Sequence, residues 1–166
     1  MDVGILLNST GTNQPAFITI NRINAMKMID KTPYNLTVFY KESGPFCSKL
    51  CTTSTSLDKM FSFNGAVIAT DLDLSVFMIK AFTPSVKVLY LFELEWTKGV
   101  GNFLVNSAIY NKEGLIVIAP SLAYANELEN YCGKKVDAII PQFNIAEIIK
   151  VIENEIRIRK QDRPDC

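Results

Sequence analysis

Acidic and small polar side chains follow short apolar runs at several points along this chain. Asp71 and Asp73 come just after residues 66–70, while Glu93, Glu95 and the single tryptophan, Trp96, come just after residues 87–92. The stretch 8–14, which contains Ser9, Thr10 and Gly11, comes just after residues 3–7, and Ser121 comes just after residues 115–119. The chain has no histidine, so imidazole is removed as base, nucleophile and metal ligand. Acid–base work falls to Asp, Glu, Lys, Tyr or Cys, and a Ser–His–Asp triad is excluded. Asp71 and Glu95 are the candidate catalytic carboxylates, either of which can accept a hydroxyl proton.

Each candidate has a second reading beside the functional one. A carboxylate between a strand and a helix, as at Asp71 and Asp73, either caps the helix and meets its dipole or binds a substrate hydroxyl. Glu93 and Glu95 fall on one side if the strand continues through them. With Trp96 beside them they form an aromatic surface flanked by acceptors, which suits a sugar. Alternatively, Trp96 packs inward and the acids are solvated. The Ser9–Thr10–Gly11 loop precedes a helix with an early Pro15, where backbone N–H groups can meet an anion or a hydroxyl. It is neither GxGxxG nor a P-loop, because the lysine is missing. Ser121 follows Pro120 and is placed to cap a helix, or to touch a ligand at the same end of the sheet.

The elements that must position these residues are legible from periodicity. Residues 3–7, 36–40, 66–70, 87–92, 115–119 and 136–141 are apolar on both faces, as in strands covered by helices on each side. Between them lie helical segments. Val100, Phe103, Leu104, Ser107 and Ala108 form one apolar stripe, and Ala125, Leu128 and Cys132 another, closed by Gly133. Asn144, with Glu147 three residues later, opens a final helix with Ile145, Ile148, Ile149, Ile152 and Ile156 as its stripe. Weaker helical patterns cover 15–30, 57–63 and 72–82. Strands alternating with helices predict an α/β fold: a single Rossmann-like domain over residues 1–160, with a mostly parallel sheet of about six strands and helices on both faces. Residues 161–166 form a frayed tail. In such a sheet the candidate residues converge at the carboxyl ends of the strands.

Composition narrows the function classes. Hydrophobic residues make up 48% of the 166 residues, and 17 basic residues balance 17 acidic ones. The absence of a basic excess argues against a nucleic-acid partner. Cys47 and Cys51 lack the CxxC spacing of redox and zinc sites. No metal and no cofactor is therefore called for, and the cysteines suit a cytoplasmic protein with reduced thiols. The sequons at Asn8 and Asn35 fall in or beside strands and are read as chance. No apolar run is long enough to span a membrane.

Two stretches resemble a known family. Ile118-Ala119-Pro120-Ser121, Tyr131-Cys132-Gly133-Lys134-Lys135 and Ile139-Ile140-Pro141-Gln142-Phe143-Asn144 are similar to the end of the N-terminal, acceptor-side domain of GT-B glycosyltransferases. Leu91 to Trp96, after Ala69-Thr70-Asp71, resembles the middle strands of short glycosyltransferase-like proteins of tailed phages. The resemblance spans roughly residues 1–150 and implies one half of an enzyme acting on a sugar nucleotide or glycan. The nucleotide-sugar donor would then sit on a donor-binding partner chain, or across a homodimer. Two other readings stand beside it. One is a noncatalytic Rossmann-like binding or regulatory module, such as a phage or host accessory protein. The other is a small flavodoxin-like or nucleotide-binding domain.

Overall fold

The structure, a computed structural model, describes residues 1–29, 33–45, 48–95 and 103–161. It is an α/β domain of Rossmann type with an all-parallel sheet of seven strands. The strands are β1 (Asp2–Ser9), β2 (Asn35–Glu42), β3 (Thr53–Ser56), β4 (Ala66–Ala69), β5 (Val86–Tyr90), β6 (Leu115–Ala119) and β7 (Ala138–Ile139). The helices are α1 (Gln14–Ile29), α2 (Leu72–Lys80), α3 (Phe103–Tyr110), α4 (Leu122–Cys132) and α5 (Ile145–Gln161), and a 3-10 helix spans Leu57–Ser62. Across the sheet the order is β3-β2-β1-β4-β5-β6-β7. The winding therefore reverses between β1 and β4, which pair in parallel from Val3↔Ala66 to Leu6↔Ala69.

Side-chain alternation along the strands builds a core on each face of the sheet. On one face Val3, Ile5, Leu7, Ile68, Val88 and Ile118 pack beneath Ile20 and Ile23 of α1 and the Ile148–Ile152 stripe of α5. On the other, Leu6, Val67, Leu89 and Val117 pack beneath Leu74 and Met78 of α2, Tyr110 of α3 and Leu128 of α4. Central strands read as continuous apolar runs because both faces are covered. In α5, Ile145, Ile148, Ile149 and Ile152 are buried as the periodicity predicts, and the Asn144 amide donates to the Glu147 carboxylate at 2.8 Å. Gly133 ends α4 with φ 67°, a left-handed conformation that costs glycine least.

Several expectations are corrected. β3, with the sequence Thr-Ser-Thr-Ser, forms an additional edge strand paired to β2. It carries no apolar signal because neither face of it enters the core. β5 ends at Tyr90 rather than continuing to residue 92, and β7 is confined to Ala138–Ile139, since Pro141 starts a 3-10 turn. The stripe on α3 is rotated: Leu104 is 81% exposed and Ala108 is exposed, whereas Phe103 packs against the core and Tyr110 is fully buried. Burial of the large Tyr110 ring fixes the helix's inward face. Val100 and Trp96 lie outside the described residues. Among the described residues, no helix is long and apolar enough to cross a membrane.

Candidate functional site

The carboxyl ends of β1, β4 and β5 surround a cleft of about 380 Å³ lined by Leu7, Asn8, Asn13, Pro15, Thr70, Asp71, Asp73, Phe92, Glu93 and Glu95. It lies at the reversal of strand order, where open parallel sheets leave a crevice between helices that leave the sheet on opposite sides. Thr70 closes the floor between β4 and β1: its buried hydroxyl donates to the Leu6 carbonyl at 2.8 Å.

Two carboxylates meet at the start of α2. One Asp71 oxygen accepts from the Leu74 backbone N–H at 2.8 Å, which makes Asp71 the N-cap, while the other accepts from the Asn8 side-chain amide at 2.5 Å. Glu95 reaches back from beyond β5 and accepts from the Leu72 backbone N–H at 2.8 Å. Asp71 and Glu95, 24 positions apart in the chain, thus share one helix N-terminus. Asp73 stands exposed at the rim, and Glu93 lines the cleft although it lies past the end of β5.

Burial governs the charge state of these groups. It pushes the Glu95 carboxyl up to about 7, against the lowering effect of the Leu72 N–H and with added repulsion from Asp71 and Asp73. Asp71 is also raised, first by burial and further by Asp73, while the Leu74 N–H and the Lys41 charge pull it down. Tyr110, buried behind the site, is raised by burial and by the nearby Glu95 charge. Near neutral pH, Glu95 therefore exists in both protonation states, the condition under which a carboxyl transfers protons most effectively.

The first loop contributes differently from its sequence-based expectation. Asn8 and Asn13, not Ser9, Thr10 and Gly11, line the cleft. Thr10 is fully buried, donates its hydroxyl to the Gly44 carbonyl at 2.9 Å and accepts the Gly44 N–H at 2.9 Å. Ser9 accepts from the Gly11 N–H at 3.0 Å. The Gly11 and Gly44 backbones touch: a methyl group on Gly44 would sit 3.1 Å from the Gly11 Cα. These residues fasten the β1 loop to the one after β2, and Asn13 caps α1 by accepting from the Ala16 N–H at 2.8 Å. Ser121 accepts from the Tyr124 N–H at 3.4 Å as the N-cap of α4 and lies outside the cleft lining. Sequence reasoning placed Asn8 and Asn13 in the candidate loop 8–14 and Phe92 at a strand end, but singled out none of the three as a site residue.

The cleft is rich in acceptors. Among the described residues that line it there is no lysine or arginine. Among the described residues, no three His, Cys, Asp or Glu side chains are gathered as a metal cage. No protein-family model, no curated protein and no solved structure matches this chain.

Proposed function

We propose that the domain binds a neutral, hydroxyl-rich ligand in this cleft, as the acceptor-side half of a GT-B-type glycosyltransferase, with the sugar nucleotide held by a partner chain or a further domain. The observation that carries the reading is the meeting of Asn8, Asp71 and Glu95 in one cleft at the strand-order reversal. Carboxylates with free lone pairs accept sugar hydroxyls, and a Glu95 carboxyl near 7 is suited to take a proton from an acceptor hydroxyl. A diphosphate suits the cleft poorly. Its charge would face Asp71, Asp73, Glu93 and Glu95, and N–H groups of α2 that would otherwise receive an anion already meet carboxylates. The donor is therefore expected elsewhere.

One observation favours the noncatalytic module as a second reading. Both Asp71 and Glu95 make bonds that a purely structural cap would make. Calorimetric titration of the wild type and of Asp71→Ala and Glu95→Ala with simple glycosides and with nucleotide sugars separates the two. Heat with glycosides that both substitutions abolish is the expected result. A folded wild-type protein that gives no heat with any of them is the module.

A further inference from the structure

The cleft contains an aromatic side chain with an unusual support. Phe92 is partly exposed and lines the cleft, and two buried rings lie behind it. Its centroid is 4.9 Å from Tyr90 and 5.3 Å from Phe143, and Tyr90 and Phe143 meet edge-to-face at 4.9 Å and 89°. Phe143 belongs to the turn Pro141–Phe143, where Gln142 and Phe143 take φ of 54° and 53° in succession. Left-handed backbone is costly for any residue with a Cβ, and a bulky aromatic there is an outlier. Such strain persists only where surrounding bonds over-determine it.

Those bonds are present. The Tyr90 hydroxyl accepts from the Phe143 N–H at 2.9 Å and donates to the Ile140 carbonyl at 2.9 Å. From α1, the Arg22 Nε donates to the Gln142 carbonyl at 2.9 Å, and a second guanidinium nitrogen donates to the Gln142 side-chain oxygen. A connection from β7 to α5 alone calls for no bulky side chain in a left-handed conformation. The turn does, however, bring the Phe143 ring under Phe92.

We propose that Phe92 is a stacking platform for the apolar C–H face of a pyranose ring, and that Tyr90 and the strained Gln142–Phe143 turn are positioning residues that set its ring plane. The proposal rests on the reading of the cleft as a hydroxyl-binding site and names the ligand class: a closed sugar ring rather than an open-chain polyol. Methyl hexopyranosides and acyclic hexitols present similar hydroxyls to Asp71, Asp73, Glu93 and Glu95. Only the pyranosides also present a rigid C–H face.

The test is the ratio of pyranoside to hexitol affinity, measured by titration calorimetry on the full chain. The wild type should favour pyranosides by about fivefold or more. Phe92→Leu should abolish the preference, lowering pyranoside affinity several times more than hexitol affinity. Phe143→Leu, or, if that fails to fold, Tyr90→Phe, which removes the hydroxyl that pins the turn, should reduce the preference at unchanged hexitol affinity, and Phe143→Tyr should restore it. A merely structural role would change both affinities together. A wild type that binds both ligand classes equally overturns the platform and leaves the hydroxyl site standing. One that binds neither overturns both. An intact preference in folded Phe143→Leu or Tyr90→Phe overturns the positioning role.

Discussion

The starts of α2 and α4 are written almost alike in the sequence, and the fold makes them different. Each follows a two-sided apolar strand, and each opens on a short polar side chain that accepts the N–H three residues on: Asp71 from Leu74, Ser121 from Tyr124. At α2 the cap bond is 2.8 Å, the other carboxylate oxygen takes the Asn8 amide, and Glu95 arrives from the next strand. At α4 the cap bond is 3.4 Å, and Ser121 lies outside the lining of the cleft at β1, β4 and β5. The difference is position in the sheet. β4 stands beside β1 at the reversal of strand order, and β6 stands between β5 and β7, where the winding continues in one direction. Capping is thus a local property, whereas a site requires neighbours that only the topology supplies.

The sharpest way to break this comparison is Asp71→Ala. It removes the cap and leaves the Asn8 amide without its partner in a part-buried position. Against this, the substitution relieves the burial of a carboxylate whose pKa is already raised. We expect a net loss of about 1–2 kcal/mol in denaturant unfolding, together with loss of glycoside binding. A fully stable Asp71→Ala protein that still binds would mean that α2 is no more special than α4.

Much of this contrast was readable in the sequence, but its decisive part was not. Two-sided apolar runs marked the central strands, and the α5 stripe of Ile145, Ile148, Ile149 and Ile152 marked a buried helix, because burial leaves a periodic record. β3 left none: its Thr-Ser-Thr-Ser run is an edge held by backbone bonds. The carboxylates Asp71 and Glu95 were conspicuous by type. Asn8 and Phe92 were not, since an amide that orients a carboxylate and a ring that lines a cleft look like any loop asparagine and any strand phenylalanine. The opposite error arose at Thr10 and Gly11. They look like a ligand loop, but their polarity serves the contact with Gly44, a partner 34 and 33 positions away that no local pattern reveals.

Proton linkage gives a smaller and more specific test, because the α2 end holds carboxyls raised by burial. Glu95 is raised from an ordinary 4.5 to about 7 in the folded protein. Below about 4.5 the group is protonated in both states, and its stabilising contribution is fully present. As the pH rises from there toward 7 the unfolded chain releases its proton first, so stability falls, and the contribution is gone above 7. After discounting for water at this partly exposed carboxyl, the change is on the order of 1 kcal/mol. Glu95→Gln stays neutral and keeps an oxygen for the Leu72 N–H, so thermal melts from pH 4.5 to 8 should show a flatter stability profile than the wild type. Asp71, raised for the same reason, leaves a weaker slope of the same sign at lower pH. Parallel profiles for the two proteins would place Glu95 among ordinary solvated acids.

Ser121→Ala should have the smallest effect, and its smallness is informative. The hydroxyl accepts one long bond, from the Tyr124 N–H at 3.4 Å, at a half-buried position. A serine cap is worth roughly 0.5–2 kcal/mol when its geometry is good, and a bond of this length belongs at the lower end, about 0.5 kcal/mol. Serine does not titrate in this range, so the loss should be the same at pH 5 and pH 8, and ligand affinity should not change. The rest of α4 explains why the helix survives: Ala125, Leu128 and Cys132 stay buried against β6, and Gly133 still closes the far end. Denaturant midpoints at the two pH values, taken with a glycoside titration, check all three expectations at once. A loss as large as that of Asp71→Ala would show that stability follows the cap alone, and a loss of binding would extend the site across β5 to β6. Unchanged binding together with a pH-independent cost would confine both the charge and the recognition to the end of the sheet where β1 and β4 part.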